Sequence, residues 1–338
     1  MSKNETVRIW REGANSMKIC GASLAESLYD FPITILLFGE LGAGKTTFIQ
    51  GLAEGLGVQE SLTSPTYALE QRYRGKTSLL HIDLYRLSKE EAQKLIGSTC
   101  DFDGIRCIEW GERIEMEVIE GSSIVIKIDE PKKDARELTI TFNDIPFLSR
   151  DQIESWRAEV MLPQHICLHC DRVGAVAEQM AHALIEKGRI TRPLALRQSG
   201  ELHDLLRFMD FRSDASPPGI EESPQERCCW KRWKERYPDM QHEAACAAFL
   251  REKGFDALAT IIEPHGLLSP SPPRHTTEQK ILFYADKRVI VDRVVSLEER
   301  FEDFKKRYGR GKETPRHAEW FKEARATEKE LFPEGVPF

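Results

Sequence analysis

The segment GELGAGKTT at residues 39–47 constrains the fold more than any other part of the chain. It matches the phosphate-binding pattern G-x-x-x-x-G-K-S/T, in which glycines let successive backbone N–H groups face a phosphate. Such a loop lies between a strand and a helix, because the helix N-terminus adds positive charge. The apolar run TILLF precedes the loop, and a helical pattern runs from Lys45 to about Leu56 before Gly57. We therefore predict an α/β nucleotide-binding domain.

The residues of this loop have expected roles toward bound ATP. Lys45 would neutralise the β- and γ-phosphates, and the Thr46 hydroxyl would ligate Mg²⁺. Two acidic residues, Asp83 and Glu109, follow apolar strand-like runs and are candidates to hold the water shell of the metal. For each of them the alternative is an exposed charge at a strand end. The residues expected around the phosphates are Gly39, Glu40, Leu41, Gly42, Ala43, Gly44, Lys45 and Thr46.

Further short strands follow the loop in the first half of the chain. The segments that read as strands are YALEQRY, SLLHIDLYRL, IRCIEW, SIVIKID and ELTITF. The last two flank the charged turn EPKKDAR and are typical of a hairpin. One clear helix, around residues 88–96, interrupts the series, so we expect a mixed rather than a fully parallel sheet.

The second half of the chain has a different pattern, because apolar residues recur at helical spacing from residue 151 onward. Two segments rich in proline and serine, 211–227 and 267–275, are predicted loops. We therefore expect an α/β P-loop domain with a mixed sheet, followed by an all-α helical domain. The predicted domains are 1–148 for the P-loop domain, 155–310 for the helical domain and 311–338 for a charged C-terminal tail.

Four motifs in the first half occur in the same order as in one known family. GELGAGKTT, SPTY at 64–67, HIDLYRL at 81–87 and IEWGER at 108–113 resemble TsaE, also called YjeE, over roughly residues 1–145. The resemblance implies a P-loop ATPase required for threonylcarbamoyladenosine in tRNA. It also implies that TsaD and TsaB subunits are the partners and that ATP hydrolysis resets their complex. Contact with tRNA would then be only indirect.

The same resemblance implies roles for individual residues. Lys45, Asp83 and Glu109 would be catalytic, with Asp83 near the attacking water and Glu109 as the acid on the Mg²⁺ side. Trp110 would line the nucleotide site. The residues implied to lie near the nucleotide or in a switch-like segment are Thr47, Ser64, Pro65 and Thr66.

A second constellation lies in the helical half. His203 and Asp204 are adjacent in a helical stretch, and one helix can direct such a pair toward one metal. Together with His169, His242, His265 and Asp286, they give the order H…HD…H…H…D, which resembles the HD-domain metal-dependent phosphohydrolases. The resemblance implies a divalent metal on His169, His203, Asp204 and Asp286, with the other histidines supporting a second metal. The ligand types suit Mn, Fe, Ni, Zn or Mg without choosing among them. The alternative is a degenerate HD fold kept for packing or docking.

Composition limits the partners and the compartment. Residues 1–150 carry 18 basic and 23 acidic side chains, whereas a domain that grips nucleic acid alone is usually basic. We therefore expect tRNA to be served through partner proteins. The eight cysteines have no framework spacing, and the N-terminus has no export signal, so a cytoplasmic protein with reduced thiols is expected. No apolar run approaches the roughly 20 residues that span a bilayer, so no membrane association is predicted.

Three functions remain open at this stage. The first is an ATPase that supports tRNA threonylcarbamoylation and carries a fused phosphohydrolase domain. The second is a metal-dependent HD phosphohydrolase in which the P-loop domain is a nucleotide sensor. The third is an adaptor in which both sites bind and neither turns over. A small-molecule kinase is disfavoured, because the first half has no arginine-rich segment that could close over the phosphates.

Overall fold

The computed structural model describes residues 4–29, 31–132, 134–211, 222–268, 270–308 and 314–337. These residues divide into two compact units. The first unit consists of Ser2–Pro146 together with Ala183–Arg192, and the second consists of Phe147–His182 together with Pro193–Phe338.

The first unit is built from alternating strands and helices. Its elements are β1 (Glu5–Glu12), α1 (Gly13–Ala25), β2 (Ile33–Phe38), α2 (Lys45–Gly55), β3 (Glu70–Tyr73), β4 (Leu79–Asp83), α3 (Lys89–Gly97), β5 (Ile105–Glu109), β6 (Ser122–Lys132) and β7 (Ala135–Phe142).

The strands form a seven-stranded sheet in the order β1-β7-β6-β2-β5-β4-β3. The central strand β2 pairs in parallel with β5 and β6, and β4 pairs in parallel with β5. The other three pairings, β1 with β7, β6 with β7 and β3 with β4, are antiparallel. The prediction of a mixed sheet is therefore confirmed. The parallel centre brings the carboxyl ends of β2, β4 and β5 to one edge, where loops can form a site.

Both faces of the sheet are covered, which explains the continuous apolar run of β2. Ile35 and Leu37 belong to one buried cluster, and Leu36 belongs to another on the opposite face. On the first face, α1 and α2 pack closely through glycines. A Cβ on Gly21 would lie 2.1 Å from the Phe48 carbonyl oxygen, so only glycine allows this approach. The packing fixes α2, whose N-terminus follows the phosphate-binding loop.

The core of the first unit includes residues from much later in the chain. Ile185 and Ile190 are buried in the same cluster as the sheet residues beneath α1 and α2. Arg192 is fully buried and donates two hydrogen bonds of 2.7 Å to the Asp144 carboxylate. The Ile190 N–H donates to Ser23 Oγ at 2.9 Å. The segment Ala183–Arg192 thus completes a domain that the sequence pattern ended near residue 148.

The second unit is largely helical. Its elements are α4 (Arg150–Glu159), α5 (Gln164–Glu186, whose last residues belong to the first unit), α6 (Pro193–Leu202), α7 (Pro224–Arg236), α8 (His242–Glu252), α9 (Asp256–Ile262), α10 (Thr277–Asp286), β8 (Val289–Ile290), β9 (Arg293–Val294), α11 (Leu297–Tyr308) and α12 (Pro315–Leu331). The two-residue strands β8 and β9 pair with each other, so the prediction of an all-α domain is wrong in this detail.

Two segments differ from their sequence-based description. Residues 212–221 of the predicted loop 211–227 lie outside the described residues, but its end is helical. Helix α7 begins at Pro224 because Ser223 and Glu226 form a capping box, each side chain bonding the backbone N–H of the other. Helix α12, which occupies most of the segment assigned to a charged tail, buries Ala324 and Leu331. Among the described helices, none has the length and apolar character needed to cross a membrane.

Candidate functional sites

The phosphate-binding loop has the backbone geometry that its glycines allow. Gly42 and Gly44 have φ values of 83° and 106°, in the left-handed region that favours glycine. Gly44 directly precedes α2, so the free N–H groups of the first helical turn face the loop. The Lys45 ammonium lies within the loop and donates to the carbonyl oxygens of Gly39 and Glu40, at 2.6 and 3.1 Å. Its Nζ also lies 3.8 Å from the centroid of a Trp110 ring.

Lys45 is buried and surrounded by acidic groups. Burial lowers the pKa of its ammonium, and the negative charges of Glu109, Glu112 and Asp83 act in the opposite direction. The net shift is downward. A cation held in this way is poorly hydrated, so a phosphate brought near it would experience strong attraction.

Glu109 Oε1 takes part in two hydrogen bonds. Thr46 Oγ1 donates to Glu109 Oε1 at 2.7 Å, and His81 Nε2 lies 2.9 Å from the same oxygen. His81 is fully buried and Glu109 is 3% exposed, so Glu109 is not an exposed strand-end charge. Parallel pairing of β4 with β5 brings the two residues together. A hydroxyl and a fixed carboxylate at the start of the P-loop helix form a donor set that suits Mg²⁺.

Asp83 is held by a different set of partners. Thr66 Oγ1 and Ser64 Oγ donate to Asp83 Oδ2 at 2.6 and 3.2 Å, and the Tyr85 N–H donates to Oδ1 at 2.9 Å. Asp83 is 3% exposed, so it too is not a surface charge. The SPTY segment is thereby linked to the end of β4. Of its three predicted residues, Ser64 and Thr66 share Asp83 as a partner, and Pro65 lies between them.

These side chains surround a cleft of about 270 Å³. The lining residues are Leu41, Gly42, Gly44, Lys45, Thr46, Thr47, Ser64, Thr66, Asp83, Tyr85, Glu109 and Trp110. The predicted residues Gly39, Glu40 and Ala43 shape the loop but do not line the cleft. Tyr85, which was not predicted, lies with its ring centroid 4.8 Å from that of Trp110. We call this cleft and its lining residues the P-loop site.

Comparison with known proteins gives a family for this domain. The family model described as threonylcarbamoyl adenosine biosynthesis protein TsaE matches residues 11–138. A relative described as tRNA threonylcarbamoyladenosine biosynthesis protein TsaE, from Treponema pallidum (strain Nichols), is 41% identical over 112 residues, or 31% of this chain and 79% of that protein. The Bacillus subtilis (strain 168) protein of the same description is 37% identical over 108 residues, or 32% of this chain and 68% of that protein. The chain belongs to the TsaE family.

The TsaE match covers the whole P-loop site, because every lining residue lies between 11 and 138. The crystal structure of Bacillus subtilus YdiB aligns with 41% of this chain and 87% of its own, at 26% identity. The TM-score of that alignment is 0.34, which is too low to establish a common overall fold. Membership of the TsaE family therefore rests on the sequence matches.

Outside the TsaE match, the second unit brings together all six residues predicted for a metal site. We call this set the His–Asp cluster, and its members are His169 on α5, His203 and Asp204 directly after α6, His242 at the start of α8, His265 after α9 and Asp286 at the end of α10. His203 and Asp204 were predicted within a helix, but they lie in a turn, because α6 ends at Leu202. Five elements far apart in sequence thus contribute side chains to one place.

One side of the cluster is formed by His169, His203 and Asp286. His169 Nε2 lies 3.0 Å from Asp286 Oδ1, and His203 Nε2 lies 3.8 Å from the same oxygen. His203 Nδ1 faces the Gly200 carbonyl oxygen at 2.8 Å, so Nδ1 carries the hydrogen. His203 Nε2 is then directed inward, buried and without a hydrogen-bond partner among the described residues. These three residues offer ligand atoms within 4.8 Å of one another.

Asp204 connects this side of the cluster to the other histidines. Its Oδ2 lies 3.7 Å from His203 Nε2, whereas its Oδ1 lies 3.1 Å from His242 Nε2 and 3.7 Å from His265 Nε2. One carboxylate thus faces two groups of imidazoles, each with a different oxygen. Arg207 Nη1 lies 2.9 Å from His242 Nε2 and supplies positive charge beside that nitrogen.

The charges of the cluster favour ionised carboxylates. Burial would raise the pKa of Asp204, but positive charge from His203, when its imidazole is protonated, and from Arg207 holds that pKa well below its ordinary value. Burial would likewise raise the pKa of Asp286, and the Lys287 ammonium, with Nζ 2.5 Å from Oδ2, acts against it and helps to lower that pKa. Two buried carboxylates therefore remain negative and are available to a cation.

Several residues of these sites were missed by the sequence analysis. His81 could have been found, because it precedes Asp83 by two residues and thus lies on the same face of β4. Glu243 and Asp210 contact His242 Nδ1 at 3.1 and 2.5 Å, but neither belongs to a recognisable motif.

Proposed function

We propose that the first unit is a Mg²⁺-dependent ATPase that supports threonylcarbamoyladenosine modification of tRNA. The observation that carries the proposal is the pairing of Thr46 Oγ1 with Glu109 Oε1 at 2.7 Å, at the end of a phosphate-binding loop. Membership of the TsaE family gives the pathway. In this proposal TsaD- and TsaB-like subunits are the cytoplasmic partners, and ATP hydrolysis resets their complex.

Some residues of the P-loop site bind the phosphates and the metal, and others position the attacking water. Loop N–H groups and the Lys45 ammonium bind the β- and γ-phosphates, while Thr46 and Glu109 hold the metal. When bound, Mg²⁺ neutralises charge on the phosphates. Asp83 orients the attacking water, and its partners Ser64 and Thr66 couple this position to the SPTY segment. The site thus requires the loop and both strand-end carboxylates together.

The acidic character of the first half supports an indirect role toward tRNA. Nucleic-acid binding depends on lysine and arginine contacts to phosphates, which the 23 acidic side chains among residues 1–150 oppose. Partner subunits would therefore hold the tRNA, and this protein would supply the energy of ATP hydrolysis.

Threonylcarbamoyladenosine in tRNA provides the test. Cells depleted of their own TsaE activity would express this chain or its Lys45→Ala variant, and the modified nucleoside would be measured by mass spectrometry. We expect restoration by the wild type alone. If both proteins accumulate as folded protein and neither restores the nucleoside, the ATPase proposal fails for this system.

We propose as a second function that the helical unit is a metal-dependent phosphohydrolase of the HD type. The observation that carries it is His203 Nε2, which is buried without a partner and directed toward Asp204 and Asp286. A buried polar atom of this kind is costly unless something binds it. A divalent cation on His169, His203, Asp204 and Asp286 would do so, and its identity stays open among Mn, Fe, Ni, Zn and Mg.

The residues around the cluster fit a phosphorylated substrate. When bound, the cation supplies Lewis acidity toward water and phosphoryl oxygens. Arg207 has 30% of its side chain exposed and lies 3.9 Å from Asp204 Oδ1, so it can bind a substrate phosphate at the edge of the cluster. The substrate is thus a phosphate ester, with nucleotides, cyclic nucleotides and phosphorylated small molecules as the classes to compare. In one alternative the P-loop site only senses nucleotide, and in another both sites bind without turnover.

Site-directed variants separate these alternatives. His203→Ala with Asp204→Ala should abolish release of p-nitrophenol from p-nitrophenyl phosphate and bis(p-nitrophenyl) phosphate in the presence of Mn²⁺, and leave ATP hydrolysis intact. Lys45→Ala should do the reverse. His275→Ala, at an exposed histidine outside the cluster, serves as the control. Equal activity of all variants in both assays would favour the adaptor.

A further inference from the structure

We propose that Glu243 is a ligand of a second divalent cation, held together with His242 and His265. This inference rests on the proposed metal-dependent function of the helical unit and goes beyond its six predicted residues. The ligand atoms of Glu243, His242 and His265 all lie within 4.8 Å of one another.

The Glu243 carboxylate is buried and only partly paired. Glu243 is 6% exposed, and its Oε2 has no hydrogen-bond partner among the described residues. A buried carboxylate oxygen is costly unless it is paired or bound to a metal. The adjacent His242 Nδ1, at 3.1 Å, already has the Asp210 carboxylate at 2.5 Å, so it does not fully account for Glu243.

The His242 and His265 imidazoles approach each other through their Nε2 atoms. His265 Nδ1 faces the Ile262 carbonyl oxygen at 2.7 Å and therefore carries a hydrogen, which leaves a lone pair on Nε2. His242 Nδ1 faces Asp210, so its Nε2 also has a lone pair when the ring is neutral. The two Nε2 atoms lie 3.3 Å apart. Two lone pairs at this distance, with Asp204 Oδ1 3.1 Å from His242 Nε2, favour positive charge. The Arg207 guanidinium, with Nη1 2.9 Å from His242 Nε2, supplies such charge, and a cation on the two imidazoles would replace that contact.

The Glu243 carboxylate lies against Gly266. A Cβ added to Gly266 would lie 1.8 Å from Glu243 Oε1, so the carboxylate occupies space that only glycine leaves. The backbone of Gly266 has φ −72°, which any residue can adopt, so the glycine is required for this space and not for its conformation. Asp204, with one oxygen toward each group of histidines, would then lie between two cations.

Metal stoichiometry tests this assignment directly. The full chain carrying Thr46→Ala, so that the P-loop site contributes no metal, would be titrated with Mn²⁺ alone without nucleotide. We expect two Mn²⁺ per chain in this background, and one after Glu243→Gln or Gly266→Ala, with the lost site weakened by at least about 10- to 100-fold. Gly266→Ala displaces the Glu243 carboxylate but keeps its charge, whereas Glu243→Gln removes the charge. If both variants lose one Mn²⁺, the loss comes from missing ligation and not from a general loss of charge.

Glu263→Gln is the matched control, because this substitution removes the same charge as Glu243→Gln. Glu263 is 46% exposed and is paired with Arg251. It should keep both cations. One Mn²⁺ in the parent would overturn the Glu243 assignment and leave a single-metal function standing. Two Mn²⁺ in both test variants would also overturn it, and would leave a two-metal site that does not need Glu243. No Mn²⁺ in the parent would overturn the proposed phosphohydrolase itself. If neither variant folds, anomalous diffraction from Mn²⁺-soaked crystals of the parent decides, since a second peak away from Glu243 contradicts the proposal.

Discussion

His81 and Glu109 lie on neighbouring parallel strands and share a buried contact, with Nε2 2.9 Å from Oε1. The same oxygen accepts the Thr46 hydroxyl hydrogen at 2.7 Å. Since one imidazole fixes the carboxylate that pairs with the P-loop threonine, we interpret His81 as a positioning residue for the Mg²⁺ ligands. Outer partners of this kind commonly affect metal affinity as strongly as some ligands do.

The variant His81→Ala tests this relationship. We expect the Mg²⁺ concentration for half-maximal ATP hydrolysis to rise by about 10- to 100-fold, because Glu109 loses its orienting partner. Nucleotide binding in EDTA should be unchanged, and His81→Gln should restore part of the Mg²⁺ affinity through its amide N–H. An unchanged Mg²⁺ requirement in a folded His81→Ala protein would show that the contact is only structural.

Removal of the Asp83 charge should affect turnover more than binding. Asp83→Asn should lower kcat of ATP hydrolysis by about 100-fold, because a positioned carboxylate contributes at this level. The dissociation constant of the nucleotide should change little, since the hydrogen bonds of Asp83 are to Ser64, Thr66 and the Tyr85 N–H. Glu117→Gln, at an exposed position in the same domain, is the control for a lost charge. A proportional loss of binding and turnover would argue against a role near the attacking water.

The buried pair of Arg192 and Asp144 should contribute strongly to stability. Arg192→Ala should lower the free energy of unfolding by about 3–5 kcal/mol, because it leaves a buried carboxylate without its partner. Arg189→Ala removes a pair in which Glu26 is 44% exposed, so its cost should stay below about 1 kcal/mol. Urea unfolding followed by circular dichroism compares the two. Similar costs for both would contradict the assigned importance of the buried pair.

Cysteine reactivity should follow burial. Burial raises the pKa of Cys20 to about 12 and also raises that of Cys107, whereas Cys100 and Cys228 are exposed. Only the thiolate reacts with iodoacetamide, and at pH 8 a thiol with a pKa near 12 is ionised to about one part in 10,000. We expect iodoacetamide to label Cys100 and Cys228 rapidly, and to label Cys20 and Cys107 only after unfolding. Mass spectrometry measures the labelling of each cysteine. Fast modification of Cys20 in the native protein would contradict this packing.

Local patterns predicted the strand and the helix that flank the phosphate-binding loop, for a physical reason. The glycine loop, the strand before it and the helix after it are contiguous in sequence, so their geometry is encoded over a short range. Strand β1 was missed, although its alternation of buried and exposed residues is regular. The pairing of His81 with Glu109 depends on the order of strands in the sheet, which a single sequence does not reveal. Glu243 was missed although it directly follows the predicted His242, because its proximity to His265 and Gly266 depends on how α8 packs in the fold.

Because Ala183–Arg192 belongs to the first unit, the position of this segment in the chain affects co-translational folding and the outcome of proteolysis. Ile185, Ile190 and Arg192 complete that unit, so its folding on the ribosome waits until residue 192 has emerged. At about 5–20 residues per second this is a delay of a few seconds, during which part of its apolar surface is open to chaperones or to aggregation. A protease or a gene fission that separates the chain near residue 150 would therefore release a nucleotide-binding fragment with an unfinished core.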